Sequence, residues 1–191
     1  MDARALTTTF VTTLTLALSG GAALAESGGT LYGEPGRDGF TIGVELGGGN
    51  LGCSENDGCD GFVEAGSFGL HLGGMAGDDL AALFDMWWMF HDDGDAEISQ
   101  GIMTAALQFW PIEHLWLRGG VGAARLAYRY DGALVDFEDH SEWVPAFQLA
   151  IGVEPIASET FGLDIALRYG TGFYSDGDHE IHNGALTIGL S

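Results

Sequence analysis

Two charged side chains interrupt an apolar segment near the C-terminus, "FGLDIALRYGTGFY" (161–174). Bulky apolar residues occupy its odd positions from Phe161 to Tyr169, while Asp164, Arg168 and small residues occupy the even ones. A period of two is that of a β-strand with one apolar and one polar face. Asp164 and Arg168 are four strand residues apart, about 13 Å, so each needs a partner on another strand.

Acidic and basic residues of the same kind fall on the polar face of other alternating segments. Buried charges are retained only when they are paired and hydrogen-bonded. The sequence therefore predicts one interior network that is formed by Glu45, Asp85, Arg118, Glu154, Asp164 and Arg168.

Two further segments contain the residue types of a hydrolase. They are "DHSE", with Asp139, His140, Ser141 and Glu142, and "GDHEIHN", with Asp178, His179, Glu180 and His182. A serine nucleophile needs a base within hydrogen-bond reach, and a third group must orient that base. Adjacent loop residues rarely provide this geometry, so we predict no catalytic residues and no enzymatic activity, and keep a hydrolase as an alternative.

Strongly acidic composition limits the classes of partner. The chain has 191 residues, with 28 acidic and 6 basic side chains, a net charge of −22 and no lysine. Nucleic-acid binding is excluded because phosphate contacts need a basic surface. Disorder is excluded as well, because 46% of the residues are hydrophobic and disordered chains have low hydrophobicity.

The N-terminus has the features of an export signal. Arg4 precedes an apolar, threonine-rich stretch that ends at Ala23-Leu24-Ala25, a small-x-small cleavage site. The sequence therefore predicts a signal peptide over residues 1–25, a linker over 26–38 and one folded domain over 39–191.

Cys53 and Cys59 are the two cysteines, and both lie in "CSENDGC". Thiols of exported proteins oxidise, whereas a structural zinc site requires four ligands. We predict a local disulfide and no metal centre.

The segment "HDDGDAE" brings together Asp92, Asp93, Asp95 and Glu97. It lacks the later glycine and the distal glutamate of an EF-hand loop. A solvated acidic loop is favoured, weak binding of divalent cations is the alternative, and no cofactor is expected.

Eight alternating segments of about ten residues follow residue 39. A tilted strand of ~9–11 residues crosses a bilayer. Short connections ("MAGDD", "PIEH", "ASET") alternate with longer acidic ones that carry 15 of the 28 carboxylates. This alternation predicts an all-β, up-and-down antiparallel barrel with its short turns at one end and its acidic loops at the other.

The polar face decides between two kinds of barrel. A soluble, lipocalin-like carrier has its apolar face inside, whereas a transmembrane barrel has it outside. The polar face here has no lysine and many Gly and Ala residues, as expected of a narrow lumen. Aromatic residues near the strand ends are assigned to the two interfacial belts of a membrane barrel. They are Trp88, Phe90, Trp110, Trp116, Trp143, Tyr169, Phe173 and Tyr174. We therefore predict an eight-stranded transmembrane barrel and keep the soluble carrier as an alternative.

With this meander, the strand "LRGGVGAARLAY" (117–128), the arginine/carboxylate interior and the final "HNGALTIGL", the chain resembles the small outer-membrane barrels of the OmpX/OmpA type. In that family the last strand ends in alternating apolar residues followed by an aromatic residue. The outer-membrane assembly machinery recognises this pattern. His182, Gly184, Leu186, Ile188 and Leu190 match, but Ser191 stands in the aromatic place.

The resemblance implies location in the outer membrane of a Gram-negative type envelope, contact with outer-membrane lipids and a monomer. We predict a polar, plugged interior and a structural or surface-interaction role for the acidic loops. A lipid-modifying hydrolase is the enzymatic alternative.

Overall fold

A computed structural model describes residues 39–53, 61–94, 96–131, 136–157, 161–174 and 179–191. The described residues form nine strands: β1 (Phe40–Cys53), β2 (Phe62–Gly77), β3 (Leu80–Asp92), β4 (Ala96–Ile112), β5 (Leu115–Asp131), β6 (Asp136–His140), β7 (Val144–Ala157), β8 (Gly162–Tyr174) and β9 (His179–Leu190). They contain no helix that is long and apolar enough to cross a membrane. The predicted signal peptide and linker lie outside the described residues and stay predictions.

The strands form a closed antiparallel barrel. Each barrel strand pairs with the next along the chain, and β1 pairs with β9. The barrel has eight strands, β1 to β5 and β7 to β9, which confirms the predicted fold class. Strand β6 is an addition that pairs with the end of β5. The segment "YDGALVDFEDHSEW" (130–143) is one of the longer acidic connections that the sequence predicted as loops, and this prediction is wrong for Asp136–His140.

The bulky aliphatic residues face outward and the charged ones face the lumen. Leu46 is 65% exposed on the outer wall, whereas its neighbour Glu45 is 0% exposed. The same alternation holds in β8, where Tyr169 is exposed and Arg168 is buried. The soluble alternative requires the opposite arrangement and is contradicted.

The strands are longer than their sequence segments. β4 and β5 have 17 residues each, against the ~9–11 that a bilayer requires. Asp92 pairs with Glu97 at the ends of β3 and β4. The predicted long acidic loop over 91–97 is therefore wrong in extent, because the ladder continues until only residues 93–95 remain as the connection.

Two apolar clusters fill the lumen on either side of its polar residues. The cluster toward the acidic connections contains Leu51, Ala65, Trp87, Met89, Ile102, Ala124, Val144, Ala146 and Ala185. The cluster toward the short turns contains Ala81, Leu83, Ala106, Trp110, Trp116 and Ala166. An eight-stranded barrel is just wide enough for its side chains to fill.

Three of the aromatic residues assigned to interfacial belts point inward instead. Trp110 and Trp116 are buried in the cluster near the short turns. Tyr174 is half-buried, and its hydroxyl accepts a hydrogen bond from Gln100 Nε2 at 2.8 Å. All three residues occupy positions that belong to the polar, lumen-facing side of their strands. The alternation of the strand, and not nearness to a strand end, therefore determines which way these side chains point.

Glycine permits the close contact between the first and last strands. Gly47 of β1 pairs with Thr187 of β9, and a Cβ on Gly47 would overlap the carbonyl oxygen of Leu186 on β9. Any larger residue would push β1 away from β9, so Gly47 is required where the barrel closes.

We expect Leu46→Arg, at mid-height on the outer wall, to lower the free energy of unfolding by about 2–4 kcal/mol, because a cation at the bilayer midplane is poorly solvated. Phe40→Arg, at the turn end of the same strand, is the matched control and should cost about 0–1 kcal/mol from its charge. Urea unfolding in lipid vesicles measures both. Equal losses at the two positions would contradict the assigned lipid-facing wall.

Candidate functional site

Four charged side chains meet at mid-height in the lumen. Arg118 Nη1 donates to Glu45 Oε1 at 2.8 Å and to Asp85 Oδ2 at 2.7 Å. Arg168 donates to the other oxygen of each carboxylate, from Nη1 to Glu45 Oε2 at 2.9 Å and from Nη2 to Asp85 Oδ1 at 2.7 Å. Each carboxylate therefore binds both guanidiniums. We call Glu45, Asp85, Arg118 and Arg168 the charged ring; its formal charges sum to zero.

Four strands contribute one member each to the charged ring. Glu45 lies on β1, Asp85 on β3, Arg118 on β5 and Arg168 on β8. The two residues of each hydrogen-bonded pair in the ring are at least 33 residues apart in sequence. The ring therefore depends on barrel closure, and it links four strands across the lumen that are not neighbours in the sheet.

Neutral polar side chains surround the ring. Arg118 Nε donates to Gln108 Oε1 at 2.7 Å, and Arg168 Nη2 donates to Gln148 Oε1 at 2.9 Å. Thr187 Oγ1 donates to Glu45 Oε2 at 3.2 Å, and His71 Nδ1 lies 3.3 Å from Glu45 Oε1. These contacts supply hydrogen bonds that water would otherwise provide, which a buried ion pair requires.

A tryptophan ring lies against each guanidinium. The guanidinium carbon of Arg118 is 4.7 Å from the ring centroid of Trp116, and that of Arg168 is 4.9 Å from Trp87. Stacking of a guanidinium on an indole face is favourable, and more so when both are desolvated. Sequence reasoning missed these residues, although Trp116 is two residues before Arg118 and therefore shares its face.

Small residues leave space for the ring. A Cβ on Gly69 would lie 2.6 Å from Arg168 Nη1. Since a guanidinium held by two carboxylates has little freedom to move, a larger residue at 69 would displace it.

Glu154 and Asp164 were predicted as members of the same network. Asp164 lies close enough to the charged ring to interact electrostatically with Glu45, Arg118 and Arg168, and also with Glu154. Glu154 Oε1 accepts a hydrogen bond from Trp110 Nε1 at 3.0 Å. Asp164 is buried, and its Oδ1 has no hydrogen-bond partner among the described residues.

The predicted disulfide and cation site are only partly within the described residues. Cys53 ends β1, but Cys59 lies outside the described residues, as does Asp95. The oxygen Oδ1 of Asp92 accepts a hydrogen bond from Gly94 N at 2.8 Å, which is a local turn contact. The described part of the chain contains no group of three or more His, Cys, Asp or Glu residues that could hold a metal ion. Both the disulfide and weak cation binding stay predictions.

Among the candidate hydrolase residues, the hydroxyl of Ser141 bonds to backbone groups, and His182 contacts Tyr169 and Glu180. Ser141 Oγ accepts a hydrogen bond from Leu126 N and donates one to the carbonyl oxygen of Glu142, each at 2.9 Å. On the outer wall, His182 Nδ1 lies 2.9 Å from the hydroxyl of Tyr169, and Glu180 lies 3.7 Å from His182 Nε2. Asp178 lies outside the described residues, as does the side chain of His179.

Structure comparison places the chain among small outer-membrane barrels by fold. No protein-family model matches the chain, and no curated protein matches its sequence. Ail, the attachment invasion locus protein of Yersinia pestis, is 16% identical with a TM-score of 0.57, over 80% of this chain and 98% of that one. Neisserial surface protein A is 16% identical with a TM-score of 0.55, over 80% and 97%. A crystal structure of Ail in complex with the heparin analogue sucrose octasulfate gives a TM-score of 0.58 at 15% identity. The predicted resemblance to small eight-stranded outer-membrane β-barrels is confirmed at the level of fold.

Proposed function

We propose that the protein is a non-enzymatic, integral outer-membrane barrel whose lumen is closed by the charged ring. The observation that carries this proposal is the mutual, fully buried pairing of Arg118 and Arg168 with Glu45 and Asp85. Moving an ion through this layer would require the pairs to separate inside a low-dielectric lumen, where breaking such a pair is costly.

The apolar clusters strengthen the closure. Trp87, Met89 and Ile102 are 0% exposed on one side of the ring, and Trp116 is 1% exposed on the other. A hydrated ion therefore meets an apolar layer before and after the charges, which favours a structural barrel over a channel.

The aliphatic outer wall and the predicted signal peptide support placement in a Gram-negative type outer membrane, with membrane lipids as the surrounding solvent. The outward series His182, Gly184, Leu186, Ile188 and Leu190 on β9 supports recognition by the assembly machinery. Backbone hydrogen bonds between Gly162 and Ser191, at 2.6 and 2.9 Å, continue the ladder to the last residue. Strand pairing thus reaches Ser191 without an aromatic side chain there.

We propose a monomer, because every barrel strand already has two partners within the chain.

The external connections are proposed to act in surface interaction. The Yersinia protein of similar fold is an attachment protein and has been crystallised with a sulfated heparin analogue. In this chain the four long connections and their flanks carry 15 carboxylates. Like charges repel, so we propose a partner with a basic surface, or divalent cations bound weakly between partners, and not a sulfated glycan.

A lipid-modifying hydrolase is the alternative. Ser141 is held by two hydrogen bonds to backbone groups, which favours a structural role for that hydroxyl. Mass spectra of lipid A from cells with and without the protein test the alternative; a mass difference that requires Ser141 would overturn the non-enzymatic assignment.

We expect the purified protein to produce no stepwise currents in planar bilayers, because the ring and both apolar clusters close the lumen. An open porin inserted under the same conditions shows that the bilayer assay works, and a heat-dependent shift in gel mobility shows that the barrel is folded. Steady single-channel steps from folded protein would refute closure.

Arg168→Ala should lower the free energy of unfolding by about 3–5 kcal/mol, because it leaves two carboxylates buried with half of their pairing lost. The melting of the heat-modifiable band and urea titration in vesicles measure this loss. Arg129→Ala, which removes an exposed arginine at the end of β5, is the control and should cost at most about 1 kcal/mol. If the two variants unfold alike, the ring does not stabilise the barrel.

A further inference from the structure

The outer wall is recessed along β5. On most strands this face carries bulky residues, whereas β5 presents Gly119, Val121 and Ala123 in succession. Leu107 on β4 and Leu149 on β7 pair with Gly119, and their side chains form the two walls of the recess. The result is an open apolar groove of about 620 Å³, with Ala82 and Ala105 completing its floor.

An arginine stands on the same face of the same strand, toward the acidic connections. Arg125 is in phase with Val121, four residues away or about 13 Å. Its Nε donates to the carbonyl oxygen of Ser141 at 3.2 Å, and its guanidinium lies 5.9 Å from the ring centroid of Trp143. From Gly119 to Arg125 the groove and the cation span about 20 Å along the strand. With a strand tilt of ~45° this is about 14 Å along the membrane normal, close to one leaflet of a ~30 Å hydrocarbon core.

Arg125 is the outer-wall arginine without a carboxylate opposite it. Two of the chain's six arginines, Arg118 and Arg168, are in the ring, and Arg4 and Arg37 precede the described residues. Arg129 is flanked in the ladder by Glu97 on β4 and Glu138 on β6. Arg125 pairs instead with Gly101 and forms no ion pair among the described residues. A cation in this position is complementary to an anion supplied from outside the protein.

We propose that this groove binds one phosphorylated, multi-acyl glycolipid of the outer leaflet. One acyl chain lies on the floor between Leu107 and Leu149, and a headgroup phosphate accepts hydrogen bonds from Arg125. Arginine is suited to phosphate because its planar guanidinium can donate two parallel hydrogen bonds. Trp143, 52% exposed at the same rim, contacts the headgroup region. The inference rests on the proposed membrane placement and adds a specific lipid partner to it.

Native mass spectrometry of the full-length mature barrel in detergent, titrated with lipid A, tests the proposal. We expect one lipid A to be retained per chain. Arg125→Gln should weaken retention about tenfold or more, as expected for loss of a charged hydrogen bond. A dephosphorylated lipid A with the same acyl chains should bind the unmodified protein as weakly as lipid A binds Arg125→Gln.

Filling the groove tests its apolar part. Ala105→Phe is exposed on the outer wall and should weaken retention severalfold without touching the ring. Val44→Phe, on β1 at the opposite side of the barrel, is the matched control and should leave retention unchanged. Equal retention by Arg125→Gln and the unmodified protein, or equal loss from the two Phe variants, overturns the proposal. A folded, heat-modifiable barrel that shows either result would still be a membrane barrel, so failure of the lipid site is distinct from failure of the proposed function.

Discussion

Burial of four charged side chains in a narrow lumen is the constraint that determines how the rest of the interior is arranged. Removing an ion from water costs several kcal/mol even after relaxation, so Glu45, Asp85, Arg118 and Arg168 can occupy the lumen only if each satisfies the others. The pairing of both carboxylates with both guanidiniums meets this requirement for the four charges, although Arg168 Nε has no hydrogen-bond partner among the described residues. Because the four residues come from different strands, the ring also favours one register of barrel closure.

The apolar clusters and the ring depend on each other. Trp87 and Trp116 exclude water from opposite sides of the ring and stack on its guanidiniums. Exclusion of water strengthens the electrostatic attraction within the ring, but it also raises the cost of any unpaired member. The same arrangement requires glycine at position 69, because Arg168 Nη1 occupies the space that a side chain there would fill. The interior is therefore a packed core with a polar centre, which supports a structural role more than transport.

The outer wall obeys a different requirement, because lipid must be its solvent. Most strands meet it with bulky aliphatic residues, and β5 departs from the pattern through Gly119, Val121 and Ala123 below Arg125. A shallow groove that leads to a cation without a carboxylate partner is costly in plain hydrocarbon and favourable next to a phosphorylated lipid. Interior and exterior thus follow one rule, that a charge requires a complementary partner, and the partners of the outer wall come from the membrane.

The period-two pattern by itself determined the eight barrel strands and the face that each residue occupies, because alternate side chains of a strand must point to opposite sides. The composition of the polar face, with no lysine and many Gly and Ala residues, then placed Glu45 and Arg168 inside and Leu46 outside. Only the tertiary structure decided which interior residues bond, since strand tilt and stagger set their relative heights: Asp85 joins the ring, whereas Glu154 contacts Trp110. Tertiary pairing also extended β3 and β4 into the acidic segment at Asp92 and Glu97, because a hairpin ladder can continue past the membrane wherever both strands remain extended.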